Sequence, residues 1–203
     1  MAIRSHRMAR NIITSERYRW PNGTIAYAVQ DKIDNTTRDT LLAAMRNISR
    51  ETNHCIRFRE RRNEDEYLDI IRSRPGTCAA GVGRQRHTNK MFVSAQCSFA
   101  DLLHVLLHVL GFFHEHTRPD HDSDVHVSWE NIPEAFKDNY PKPGDGLTVL
   151  EFPHYFLSIT RNKEFAYSCI LPVMIPMNPT QNLTTSSRLS DSDIKKILRA
   201  YEC

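Results

Sequence analysis

The sequence predicts an α+β fold: a twisted sheet with two long helices in the first part of the chain, then an irregular part closed by a terminal helix. Three observations predict it. Before residue 114, short runs of alternating apolar residues are interleaved with two stretches of helical period. Beyond it, seven prolines from Pro133 to Pro179 break up longer patterns and argue for a lobe of loops. A last apolar side, Ile194, Ile197 and Leu198, follows residues able to cap a helix. At 203 residues the chain suits one domain with a substantial core.

Taken in order, Ile25 to Val29 is apolar enough for a strand. From Asn35 a helix is expected, capped by Asn35 or Thr36, with Leu41, Leu42, Met45 and Ile48 forming one core-facing stripe. Ile56 and Phe58 alternate with arginines as in a half-buried strand, and Tyr67 to Ile71 reads as another. Pro75-Gly76 and Gly81-Val82-Gly83 punctuate a loop before a short strand, Met91 to Ala95. Phe99 to Leu110 is almost wholly apolar, which suits a helix buried over most of its surface. Gly111 is placed to end that helix, since glycine takes a left-handed cap conformation without steric cost. Ser190 or Asp191 can cap the last helix.

Composition excludes several functions. A net charge of +3 falls well short of a nucleic-acid footprint. The densest basic run, Arg57 to Arg62, alternates with apolar residues and is followed by Glu64, Asp65 and Glu66, a solvated strand-and-turn face rather than a polyanion site. No apolar stretch reaches membrane-spanning length, and the start lacks a signal-peptide apolar region. Five cysteines can form two disulfides with one left over. Sequons at Asn22, Asn35, Asn47 and Asn182 agree with a glycosylated protein on an oxidising, secretory route. The expectation is therefore a secreted protein whose leader lies outside this sequence.

The chemistry is concentrated between Leu102 and Asp122. His104, His108, Gly111 and His114 have the spacing H-x-x-x-H-x-x-G-x-x-H. Residues four apart share one helix face, so His104 and His108 can bond one ion, and a turn at Gly111 can return His114 to it. A single histidine on an apolar helix is usually a hydrogen-bonded core group. Three at this spacing point to one zinc ion with an open fourth position. The metzincin signature H-E-x-x-H-x-x-G-x-x-H differs at one place: its glutamate is Val105 here. A general base contributes roughly 100- to 10,000-fold to such a reaction, about 3 to 5 kcal/mol of barrier.

His114-Glu115-His116-Thr117-Arg118-Pro119-Asp120-His121-Asp122 resembles the H-E-H-x-R-x-D-R-D continuation found in the astacin family of zinc endopeptidases. Arg19-Trp20-Pro21-Asn22-Gly23, Cys55-Ile56-Arg57-Phe58, Trp129-Glu130-Asn131-Ile132 and the closing Leu189-Ser190 to Cys203 are similar to astacin segments in the same order. The resemblance implies a two-lobed metzincin fold. Residues 1–10 would be a propeptide remnant cut after Arg7-Met8-Ala9-Arg10. Residues 11–203 would be the peptidase domain, its first lobe running to about 114 and its second covering 115–203. It implies burial of a new terminal ammonium at Asn11 against Glu115; the residues alone also fit a basic tail without processing. It implies pairs Cys55–Cys203 and Cys78–Cys97. Cys169 then remains as a buried thiol or a link to another chain, which leaves the oligomeric state open.

The family's S-x-M-H-Y turn is best matched by Glu151-Phe152-Pro153-His154-Tyr155. Pro153 stands where a methionine would floor the metal site, and the Tyr155 hydroxyl becomes the candidate for approaching the metal and the oxyanion. Glu151 is the one carboxylate near that turn that could stand in for the missing base. The resemblance also implies that Met91 to Ala95 edges the cleft and that a peptide in extended form binds by strand addition. The expected function is that of a secreted zinc metalloendopeptidase domain hydrolysing peptide bonds by zinc-activated water, impaired or inactive here because Val105 replaces the base. The alternative is a catalytically silent, zinc-binding pseudoprotease that binds peptides or a protein partner.

Overall fold

A computed structural model of the chain describes residues 12–13, 15–86, 89–114, 125–134, 158–160, 173–178 and 186–203. Beside three short 3-10 turns, seven strands and three α-helices occur among them: β1 (Thr24–Val29), α1 (Asn35–Glu51), β2 (Arg57–Glu60), β3 (Leu68–Arg72), β4 (Cys78–Ala80), β5 (Asn89–Val93), α2 (Phe99–Val109), β6 (Val125–Val127), β7 (Met174–Pro176) and α3 (Asp191–Tyr201). Five strands form one mixed sheet in the order β2-β1-β3-β5-β4. The pairs β1–β2, β1–β3 and β3–β5 are parallel, with Ile25 beside Phe58 and Ile70 beside Met91. β4 closes the sheet antiparallel to β5, with Ala79 beside Phe92.

Apolar residues at alternate sheet positions and along helix stripes meet in one core. Ile25, Leu68, Ile70 and Met91 from the sheet are fully buried with Leu41 and Ile48 of α1 and Leu102, Leu103, Leu106 and Leu107 of α2. This core holds α2 against the sheet on one side and α1 on another. The basic run on β2 is spent locally: Arg59 pairs with Glu64, and the Arg61 guanidinium lies 3.8 Å from the centre of the Tyr67 ring. Two disulfides brace the frame. Cys55–Cys203 joins the approach to β2 to the end of the chain, and Cys78–Cys97 joins β4 to the residue before α2's cap, each with Cα atoms 5.9 Å apart.

Several expectations are corrected. The cap of α1 is Asp34, not Asn35 or Thr36: its Oδ1 accepts from Thr37 N at 2.9 Å and its Oδ2 from Thr37 Oγ1 at 2.8 Å. As the residue with extended backbone just before the helix, Asp34 is placed to satisfy that orphan amide. The strand expected at Met91 to Ala95 is β5, ending at Val93, and it lies inside the sheet with β4 as the outermost strand. Any peptide adding to this side of the sheet therefore meets β4. The second half also contains regular structure where loops were expected: β6 and β7 pair antiparallel, with His126 beside Ile175. Strands of three residues are too short to show an alternation in sequence. No helix among the described residues is long and apolar enough to cross a membrane. Residues 1–10 and Cys169 lie outside the described residues.

Candidate metal centre

α2 carries the site, and its start is set locally. Ser98 and Asp101 form a reciprocal capping box: Ser98 Oγ accepts from Asp101 N at 3.2 Å, and Asp101 Oδ2 accepts from Ser98 N at 3.0 Å. Seven of the eleven α2 residues are buried, which fixes the helix rotation about its own axis. That rotation leaves His104 half-buried and puts His108 at 8 % exposure on the same face.

The chain then reverses. Leu110 caps the helix, Gly111 has φ +100°, Gly111 N donates to His108 O at 2.8 Å and Phe112 N donates to Leu107 O at 3.0 Å. This pair of bonds is a Schellman motif, and its left-handed position strongly favours glycine. The reversal brings His114 back to the face it left. The three Nε2 atoms lie 2.9 Å (His104–His108), 3.2 Å (His104–His114) and 3.1 Å (His108–His114) apart. The rings meet edge-on or tilted, with interplanar angles of 72°, 53° and 81°.

The outer nitrogens explain the inner ones. His104 Nδ1 lies 2.7 Å from Ile159 O, and His108 Nδ1 lies 2.8 Å from Phe112 O. A carbonyl only accepts, so each Nδ1 carries the proton and donates it, leaving the Nε2 lone pair directed at the other two rings. Converging lone pairs at about 3 Å repel unless a cation lies among them. A zinc tetrahedron with Zn–N bonds of about 2.0–2.1 Å has nitrogen–nitrogen edges of about 3.3–3.4 Å, a few tenths above the separations seen. The residues thus fit a zinc ion, and they are the set among the described residues whose donor atoms gather for a metal. Burial is the main reason the His108 imidazole titrates low, at about 3; the neighbouring His104 adds to the shift and the Phe112 carbonyl opposes it.

The turn behind the site is tied to distant segments. Ile13 N donates to Gly111 O at 2.9 Å, and Ile12 bridges Phe112 in antiparallel fashion. Gly83 N donates to His108 O at 2.8 Å; Gly83 has φ +70°, and a Cβ there would lie 2.8 Å from Tyr18 O. Trp20 Nε1 donates to Val109 O at 2.8 Å, and Tyr201 Oη donates to Leu110 O at 3.1 Å.

Val105 is 3 % exposed and packs with the apolar core, one residue along α2 from His104. It offers no proton acceptor. Asn11, Glu115, Arg118, Asp122, Glu151, Pro153 and Tyr155 lie outside the described residues. His126 is exposed on β6, and it is not one of the three gathered imidazoles. Sequence reading missed the backbone acceptors at Phe112 and Ile159, and the buried Asp193 that holds the Ile159 segment. The Ser190-x-x-Asp193 spacing was the one signal in the sequence for Asp193.

Comparison with known proteins gives a consistent result. The sequence pattern of the astacin peptidase family matches residues 12–202. The chain is 36% identical over 201 residues to astacin-like metalloprotease toxin 2 of Loxosceles intermedia, covering 96% of this chain and 77% of the toxin. It is 28% identical over 200 residues to zinc metalloproteinase nas-14 of Caenorhabditis elegans, covering 96% of this chain but only 39% of that protein. Among solved structures it resembles high choriolytic enzyme 1, a hatching enzyme zinc-protease from Oryzias latipes. That match has a TM-score of 0.81 and 29% identity and covers 91% of this chain and 93% of that one.

Proposed function

The chain belongs to the astacin family of peptidases, and from that premise we propose that it is a secreted zinc metalloendopeptidase domain whose peptide hydrolysis is impaired at one step. The observation that carries the metal is the convergence of three Nε2 atoms within 2.9–3.2 Å while the Nδ1 protons of His104 and His108 are donated outward. Zinc bound there supplies Lewis acidity and a lowered pKa for water at its open position. The chain's own groups do the rest. His104, His108 and His114 hold the ion, and the Ile159 and Phe112 carbonyls keep the first two rings in the binding tautomer.

The impairment rests on Val105. Peptide hydrolysis is accelerated roughly 100- to 10,000-fold when a base takes the proton from the attacking water and passes it to the leaving amine. Valine can do neither. Tyr155 is the proposed oxyanion donor, and Pro153 stands in the floor of the site, both by resemblance. The proposed mature domain is 11–203, with Asn11 buried against Glu115 after loss of residues 1–10. The proposed ligand is a peptide in extended form. The two disulfides suit an oxidising compartment.

The test compares three forms of the purified, processed chain. The parent should carry roughly one zinc per chain by metal analysis, as a single three-histidine site requires. His104→Ala should lose it, and equal zinc in both forms would refute the site. Val105→Glu should cleave a general protein substrate at least about 100-fold faster than the parent. Strong parental activity would mean that another group, Glu151 foremost, accepts the proton. No cleavage by Val105→Glu with zinc bound would favour the silent, peptide-binding reading, since restoring the base would not then restore the step.

A further inference from the structure

One buried carboxylate stands between the last helix and the metal-binding face. Asp193, in the first turn of α3, is fully buried. Both of its oxygens accept. Oδ1 takes a hydrogen bond from Ser158 Oγ at 2.6 Å, and Oδ2 takes one from Ile159 N at 3.2 Å. Oδ2 also accepts from Ser190 N at 3.0 Å and from Ser190 Oγ at 2.8 Å, which makes Asp193 half of the capping box of α3. Ser158 and Thr160 are buried as well, their hydroxyls 2.9 Å apart. The segment 158–160 is therefore pinned from one side by a single residue 34 positions away.

The other side of that segment faces the site. The peptide unit after Ile159 presents its carbonyl to His104 Nδ1 at 2.7 Å. Asp193 holds the amide of Ile159 while the carbonyl of the same residue holds the imidazole. We propose that Asp193 is a positioning residue for the metal site, acting through Ile159 to fix the tautomer and the ring plane of His104. The proposal rests on the zinc reading of the three histidines and extends it to α3. A capping box needs only Ser190 and Asp193; the bonds to Ser158 and Ile159 are what a cap alone does not require. Without Asp193, Ile159 N loses a buried acceptor, and the segment must move to find another.

The experiment measures zinc affinity by chelator competition, with the absorption spectrum of the cobalt-substituted chain as a second reading of the ligand geometry. Removing a group that orients a metal-bound histidine typically weakens metal binding 10- to 100-fold. Acting one bond further out, Asp193→Ala should weaken zinc by about tenfold and alter the cobalt spectrum. Asp193→Asn keeps one oxygen for Ile159 and Ser190 and can turn its amide toward Ser158 Oγ, so it should recover affinity to within about threefold of the parent. Asp34→Ala, which removes the cap of α1 that Asp34 forms with Thr37, should lower stability and leave zinc affinity unchanged. Parental affinity in a folded Asp193→Ala chain would overturn the proposal. So would equal weakening by Asp34→Ala at matched loss of stability. If Asp193→Ala does not fold, Asp193→Ser decides, because its hydroxyl stays in the first turn of α3 but is too short to reach Ile159 N: weakened zinc supports the relay and parental affinity refutes it. A parent chain that binds no zinc would refute the three-histidine reading itself, an outcome distinct from all of these.

Discussion

His108 shows how a single buried side chain makes stability depend on pH. Its imidazole is buried beside two other histidines, donates Nδ1–H to Phe112 O, and titrates at about 3 instead of 6.5. In the unfolded chain it takes up a proton near 6.5, whereas the folded chain resists protonation until about 3. Between those values the unfolded state binds more protons, so stability rises with pH. The contribution of His108 is thus whole above pH 6.5 and is lost as pH falls through about 3. Urea unfolding of the metal-free chain across this window should show declining stability, and His108→Gln should flatten the decline. Bound zinc competes with the same protons, so the stability that separates zinc-loaded from chelated chains should shrink as pH falls.

For α2 as an element, the decisive region is its C-terminal end. Its last three carbonyls and that of the capping residue Leu110 belong to buried residues, and each has a donor: Phe112 N for Leu107, Gly111 N and Gly83 N for His108, Trp20 Nε1 for Val109, and Tyr201 Oη for Leu110. An unpaired buried carbonyl there would cost about 1–3 kcal/mol. The same geometry aims Phe112 O at His108 and returns His114 to the site, so the cap is also the reason that three ligands converge. Gly111→Ala should cost about 1–3 kcal/mol, because φ +100° strains any residue with a Cβ. Space does not explain the cost, since a Cβ there would meet Ile13 Cβ at an ordinary 3.5 Å. The variant should also bind zinc more weakly. A stability loss without any change in zinc affinity would show that the turn and the ligand set are separable.

Across the whole molecule, distant parts of the chain are tied together near the metal helix. Cys55–Cys203 closes a separation of 148 residues and anchors the end of α3, whose Tyr201 caps α2 and whose Asp193 holds the Ile159 segment. Arg19 reinforces the junction, donating to Ala200 O and pairing with Glu202 at 3.0 Å. Cys78–Cys97 closes only 19 residues and ties β4 to the start of α2. In the chain-entropy description these loops stabilise by about 5 and about 3 kcal/mol. Replacing both members of Cys55–Cys203 by serine should therefore lower stability to guanidinium more than the same change at Cys78–Cys97. The first change should also weaken zinc, because it loosens α3. An equal effect from the two would mean that α3 is held by packing alone.

The metal-binding pattern was legible in sequence because it is local. Four-residue helical periodicity and a glycine turn place His104, His108 and His114 within one short stretch, and the position of Val105 is read from the same letters. The α1 and α2 stripes and four strands of the main sheet were legible for the same reason: their periods recur within the segment itself. The three-residue β4 lies where a loop was expected, too short to show a period. What only the tertiary structure decided is non-local. The order β2-β1-β3-β5-β4, which makes β4 the outer strand, is set by which strands bury their apolar faces together. The acceptor for His104 comes from 55 residues away, and Asp193 reaches it from the last helix. The first is a backbone carbonyl, which carries no motif; the second carries only a helix-capping spacing, which says nothing of a metal site. Their role depends on a meeting in space that no spacing along the chain encodes.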